Sequence, residues 1–151
     1  NPLGGFFKDE IRDFARILNF PDFVSEAQPF PGIGLYVRVV DLPISQELID
    51  MARWADAHAR EIIHASGIEQ EISQLIVGIG LPRTGIKGDG PVAGYSALVR
   101  AVRSIDFMTG SGYEIPSSIR RLLINTLTQH PLIVGVVFDE TPKPPATFEY
   151  E

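Results

Sequence analysis

The stretch LPRTGIKGDGPVAGYSALVRAV, residues 81–102, holds glycines at 85, 88, 90 and 94, prolines at 82 and 91, and two cations, Arg83 and Lys87. Glycine and proline punctuate its first half, and its second half is an apolar run. That pattern predicts a loop that delivers a helix over about 94–103. The preceding QLIVGIG, residues 74–80, reads as a buried strand. A strand, a glycine-rich turn and a helix together aim free backbone N–H groups at an anion. Arg83, Lys87, Gly88 and Gly90 are therefore candidate anion ligands, with Arg120 and Arg121 from a later helix. A phosphate-binding P-loop needs Gly-Lys followed by Ser or Thr, whereas Lys87 is followed by Gly88. The simpler reading is that Gly85, Gly88 and Gly90 serve tight backbone turns.

Outward from this stretch, helical patterns alternate with short apolar ones. Phe7, Ile11, Phe14, Ala15 and Leu18 recur at helical spacing over residues 7–19, ahead of Pro21. LYVRVV alternates and is β-branched, which predicts a strand over 34–40. Leu48, Ala52, Ala55, Ala59, Ile62 and Ile63 step by three and four, a helix over 45–65 with Ser45 as cap and Gly67 as stop. Residues 105–115 suggest a hairpin around Gly110 and Gly112. A helix follows from Pro116, with Ile119, Leu122, Leu123 and Leu127 on one face. LIVGVVF, residues 132–138, reads as a further buried strand. The fold class predicted is α/β or α+β, a layered domain in which three to four helices pack on a short mixed sheet. Residues 1–140 form one globular domain, and the proline-rich residues 141–151 form an extended arm.

Of the 151 residues, 44% are hydrophobic and 21% charged, enough apolar material for one real core. The net charge of −6 argues against general nucleic-acid binding, which needs a basic footprint. With no cysteine, neither disulfides nor thiolate metal sites can form. No apolar run reaches the roughly 18 residues of a membrane span, and the first residues lack the pattern of a signal peptide. No membrane partner is expected, and the compartment is left open. Asn1 in place of Met fits a processed or trimmed chain.

Asp89-Gly90-Pro91-Val92-Ala93-Gly94, followed by Met108-Thr109-Gly110-Ser111, resembles two motifs of the proteolytic domain of Lon-type proteases. The likeness spans about residues 34–138. It implies a serine–lysine peptidase fold, with the family's nucleophile falling on Val92. Displacing the match by four positions places Ser96 there, in a loop similar to that of birnavirus proteases. Arg120 and Arg121 stand where the family's lysine would be, and arginine is a very poor general base. The resemblance therefore implies a degenerate catalytic site.

His58 and His64 are six residues apart, too far to share one helical face, and no metal is expected. Trp54 lies off the alanine stripe, beside His58, and suggests a partner surface. Phe148 and Tyr150 would present two aromatics on one side of the arm, a second element of that surface. The leading reading is a non-catalytic assembly or partner-binding protein, a homo-oligomer or a heteromeric partner, without cofactor. The alternatives are a serine hydrolase with Ser96 as nucleophile and a small-anion binder at the glycine-rich loop.

Overall fold

The computed structural model describes residues 3–25, 27–32 and 34–150. In chain order the elements are α1 (Lys8–Ile17), α2 (Asp22–Ser25), a 3₁₀ turn (Leu35–Arg38), α3 (Gln46–Ala65), a second 3₁₀ turn (Glu69–Glu71), β1 (Gln74–Lys87), β2 (Gly90–Arg103), β3 (Ser111–Gly112), α4 (Ser117–Leu127) and β4 (Ile133–Phe138). The class is α+β, with helices packed on a four-stranded mixed sheet.

The sheet is organised by one long hairpin. β1 and β2 pair antiparallel from Gln74↔Val102 to Lys87↔Gly90, with a bulge between Gly80 and Arg83. Only Gly88 and Asp89 form the turn. Gly88 has φ +60°, the left-handed backbone that glycine adopts without a steric penalty. The helix expected over 94–103 is therefore a strand. Ser96 to Val102 are all buried, because β2 carries neighbours on both edges and cover on both faces. A run that is apolar on every side has no period, so it cannot distinguish a helix from a central strand. β4 pairs with β2 in parallel, from Tyr95↔Ile133 to Val99↔Phe138, and β3 pairs with its far end through Val102↔Gly112 and Arg103↔Ser111. Of the hairpin expected around Gly110 and Gly112, only β3 joins the sheet.

α3 begins at Ser45, whose hydroxyl accepts from Leu48 N at 3.2 Å and satisfies one free amide of the first turn. Its small residues Ala52, Ala55 and Ala59 have no exposed surface. They share one core with Leu75, Val77 and Ile79 of β1 and Ala97, Val99 and Ala101 of β2. From α4, Ile119, Leu123 and Leu127 join the same core. LYVRVV is not a strand: Leu35–Arg38 is a 3₁₀ turn, and only Val39 bridges to Ile79. A strand would send Val37 and Arg38 to opposite faces, whereas the tight turn buries both.

The other face of the sheet is covered by the chain's own end. Residues 141–150, the stretch expected to form an arm, hold no helix or long strand. A Cβ on Gly78 would stand 3.2 Å from the Tyr150 ring, so glycine is what lets that ring approach β1. Glu149, nearly fully buried, meets Arg38 through two hydrogen bonds of 3.2 Å.

Candidate functional site

A cleft of about 590 Å³ opens at the end of β2. Its walls carry the hydroxyls of Ser73, Ser104, Thr109 and Ser111, the cations Arg103 and Lys143, and Asp106. Loop 104–110 is built by local bonds. Asp106 Oδ1 accepts from Met108 N at 2.9 Å and Thr109 N at 3.1 Å, and Ser104 Oγ accepts from Phe107 N at 2.9 Å. Those amides, Thr109 first, hold the Asp106 pKa below its usual value. Ser73 Oγ donates to Ser104 O at 2.7 Å and accepts from Ser104 N at 2.9 Å, tying the loop to the start of β1.

Lys143 reaches the cleft from the carboxy-terminal stretch. Its backbone pairs with Gly110 in both directions, at 3.0 and 2.8 Å. Its ammonium donates to Phe107 O at 3.2 Å and lies 4.4 Å from the centre of the Phe148 ring. Phe107 packs edge-on to Phe148, with ring centres 5.8 Å apart. No carboxylate pairs with Lys143 among the described residues, and an ammonium has three N–H donors, of which Phe107 O takes one. Arg103 is more committed. It donates to Glu71 O at 3.0 Å, pairs with the Glu71 carboxylate and lies over the Tyr113 ring.

None of the residues predicted from the sequence is among those that line this cleft. Ser96 is fully buried on β2, and its Oγ meets Arg83 Nη1 at 3.5 Å. Among the described hydrogen bonds no imidazole, carboxylate or lysine reaches that hydroxyl. Arg83 and Lys87 lie on β1, Gly88 in the turn and Gly90 at the start of β2. The turn feeds a strand, so no helix N-terminus stands behind these glycines. Lys87 Nζ instead donates to carbonyls just beyond the end of α4, Thr128 O at 2.6 Å and His130 O. Arg120 pairs with Glu140, with Glu114 at 3.8 Å, and donates to Ile115 O at 2.6 Å. Arg121 lies exposed on α4.

Trp54 is half-buried, with the His58 ring 4.0 Å away and the His130 ring 5.1 Å away. The Phe148 ring lies against the Lys143 ammonium, while Tyr150 lies against Gly78. Residue types alone do not single out Lys143 as a site residue, nor Ser104, Asp106 and Thr109. A usable signal is present all the same: SIDFMTGS packs hydroxyl, carboxylate and glycine into eight residues, the composition of a loop that binds with its backbone. Among the described residues no helix is long and apolar enough to cross a membrane.

Comparison with known proteins gives the chain its relatives. The profile of the family described as GMP synthase C terminal domain matches residues 61–150. A glutamine-hydrolyzing GMP synthase of Methanocella arvoryzae, named as one of that enzyme's subunits, is 39% identical over 152 residues, covering 99% of this chain and 48% of that protein. The glutamine-hydrolyzing GMP synthases of Lactobacillus delbrueckii subsp. bulgaricus and Streptococcus mutans are each 38% identical, with 99% of this chain and 29% of theirs covered. The chain thus spans about half or less of the length of these relatives.

These matches overturn the Lon-type resemblance, which rested on two short motifs. The first motif is the tip of a hairpin entering β2 rather than a loop entering a helix, so Val92 and Ser96 are strand residues. The readings that grew from it, a non-catalytic assembly protein on a degenerate Lon-like domain and a serine hydrolase acting through Ser96, fall for the same reason. The relatives are synthases, and Ser96 sits sealed inside the sheet. With more than half of its length matched, this chain belongs to the family of GMP synthase C-terminal domains.

Proposed function

We propose that the chain serves as the carboxy-terminal part of a glutamine-hydrolysing GMP synthase, and that its cleft beside Lys143 holds the phosphate of the purine nucleotide. The observation that carries this reading is the Lys143 ammonium. It is fixed by its own backbone and by Phe107 O, it has no carboxylate partner among the described residues, and it lines a cleft rich in hydroxyls. A nucleotide monophosphate is a compact dianion. One unpaired ammonium with hydroxyls around it is chemistry suited to such a group, and lysine acts there as a point charge. Asp106 stays ionised, held by the loop amides of Met108 and Thr109, and its charge lies in the same cleft as that of Lys143.

The glutamine-hydrolysing step is assigned outside this chain. Hydrolysis of a side-chain amide by covalent catalysis needs an activated nucleophile. This sequence has no cysteine, and Ser96 is buried without a base. The role left to the domain is to bind and orient the nucleotide.

Calorimetric titration of the purified chain with GMP tests the reading. Binding is expected, competed by inorganic phosphate, and Lys143→Ala should weaken it by about tenfold or more, the loss of one charge-assisted hydrogen bond. Absence of binding at millimolar GMP, or equal affinity in the Lys143→Ala variant, overturns it.

A further inference from the structure

The stretch that carries Lys143 leaves the sheet after Phe138, the last residue of β4, and is caught at once by a residue of β2. Arg100 is 2% exposed in a run whose other members, Leu98, Val99, Ala101 and Val102, are apolar. Its Nη1 donates to Asp139 Oδ2 at 2.8 Å and its Nη2 to Thr141 O at 2.7 Å. Asp139 Oδ1 in turn accepts from Thr141 N at 2.9 Å, and Asp139 N donates to Val99 O at 2.9 Å. Burial pushes the Asp139 carboxyl up, but Thr141 and the Arg100 guanidinium outweigh it and hold its pKa below the usual value. Both halves of the pair are therefore charged. One guanidinium holds a side chain and a backbone carbonyl two residues apart, and Lys143 follows two residues later.

A buried ion pair is by itself a poor source of stability, since apolar side chains of similar volume often serve as well. Arg100 also leaves its Nε buried without a hydrogen-bond partner, which adds to the cost. What an apolar residue cannot supply is the fork, two donors on one rigid plane that fix residues 139–141 against β2. The neighbouring contacts leave the stretch a narrow path. A Cβ on Gly112 of β3 would collide with Glu140 O, so glycine there lets the stretch pass close to the sheet. Lys143 is then tied by its backbone to Gly110. Gly110 belongs to the cleft's loop, whereas Arg100 stands on the central strand. The two attachments set Lys143 against both walls of the cleft: Gly110 against the loop, and Arg100 against the sheet end marked by Ser73 and Arg103.

We propose that Arg100 is a positioning residue for Lys143. It does not line the cleft, and it acts through Asp139 and Thr141 to place the Lys143 ammonium there. The inference rests on the reading of the cleft as the nucleotide phosphate site. It adds the group that makes the ammonium a fixed point charge. A free lysine loses the rotational freedom of its stem when it binds, and a lysine already placed has less to lose.

Two readouts test this, one without ligand and one with it. The chain's lysines are Lys8, Lys87 and Lys143, so in protein carrying carbon-13 lysine the Lys143 Cε signal is identified by its loss in Lys143→Ala. In the ligand-free protein, Arg100→Gln should move that signal and leave those of Lys8 and Lys87 in place. By calorimetry, Arg100→Gln should weaken GMP binding by about fivefold, and should cause no further loss in the Lys143→Ala background. Asp139→Asn keeps the size of the side chain and weakens the same clamp, so it takes the place of Arg100→Gln should that variant not fold. An unmoved Lys143 signal in a folded variant overturns the proposal. So does an equal loss of GMP affinity with and without Lys143, which would mean that Arg100 acts on the fold at large. If the wild-type chain binds no GMP while the Lys143 signal moves, the nucleotide reading falls and the placing of Lys143 by Arg100 stands.

Discussion

Arg38 has no exposed surface, and three carboxylate oxygens surround its guanidinium. Glu149 accepts two bonds at 3.2 Å and Asp56 one at 2.6 Å. Asp56 is shared with Arg60 at 2.8 Å, and Gln74 donates to Glu149 at 2.9 Å. A buried cation is tolerated only when its charge is paired and its donors satisfied, and here both conditions hold. None of this is legible in LYVRVV, because the partners lie 18 and 111 residues away in sequence. His130 is a second case in which surroundings set the chemistry. Its Nδ1 accepts from Leu132 N at 3.3 Å, which requires a ring nitrogen without its proton. Burial first, then the nearby Lys87 ammonium, lowers its pKa, with Glu47 opposing. The unfolded chain, with an ordinary imidazole near 6.5, therefore binds the proton more readily than the folded one. Stability contributed by the neutral ring is complete above that value and is lost as pH falls through it toward the lowered folded pKa. Denaturant melts of His130→Gln should lose the part of the pH dependence that lies below 6.5. An unaltered slope would mean that folding does not lower the His130 pKa.

At the level of elements, periodicity decides what can be read. α3 is plain because its alanine stripe and Ser45 cap agree with each other and with burial. Small residues let the helix approach β1 closely, and that closeness makes the stripe intolerant of volume. Ala55→Leu should cost roughly 1–3 kcal/mol by overpacking, read as a lower denaturant midpoint at unchanged slope. A neutral result would mean the helix can move away from the sheet. β2 is mistaken for a helix because burial on both faces erases its two-residue alternation. The contrary signal lies in Lys87-Gly-Asp-Gly90: a glycine-led two-residue loop between apolar runs is a hairpin turn. Gly94 supports the same geometry. A Cβ there would stand 2.4 Å from Leu132 O, so glycine admits the backbone of the β4 approach.

On the scale of the whole molecule, the carboxy-terminal stretch joins the cleft to the core. Lys143 stands at one end of it and Glu149 at the other, bonded to Arg38 and Gln74, while Tyr150 covers Gly78 on β1. Burial pushes the Tyr150 phenol pKa well up, as expected for a ring lodged against a sheet. Removing residues 141–151 should leave Arg38 buried with Asp56 alone, and breaking such a buried pair costs about 3–5 kcal/mol. The expected outcome is a large drop in melting temperature with no change in mass by light scattering. Unchanged melting with a lower assembly mass would instead place the stretch on a neighbouring copy of the chain.

Composition and pattern by themselves determined the class of fold, the helical nature of α3 and α4, the exclusion of thiol chemistry and the lack of a general nucleic-acid footprint. These are local or additive properties: a stripe of side chains, a cap, a count of charges. The tertiary structure alone decided that residues 94–103 are a central strand, that Arg38 lies in the core, and that Lys143 shares a cleft with loop 104–110. Each of these depends on which distant segment supplies the missing hydrogen bond, the opposing charge or the covering face. Pairing between segments far apart in the chain leaves no period in the local sequence, so only the folded molecule reveals it.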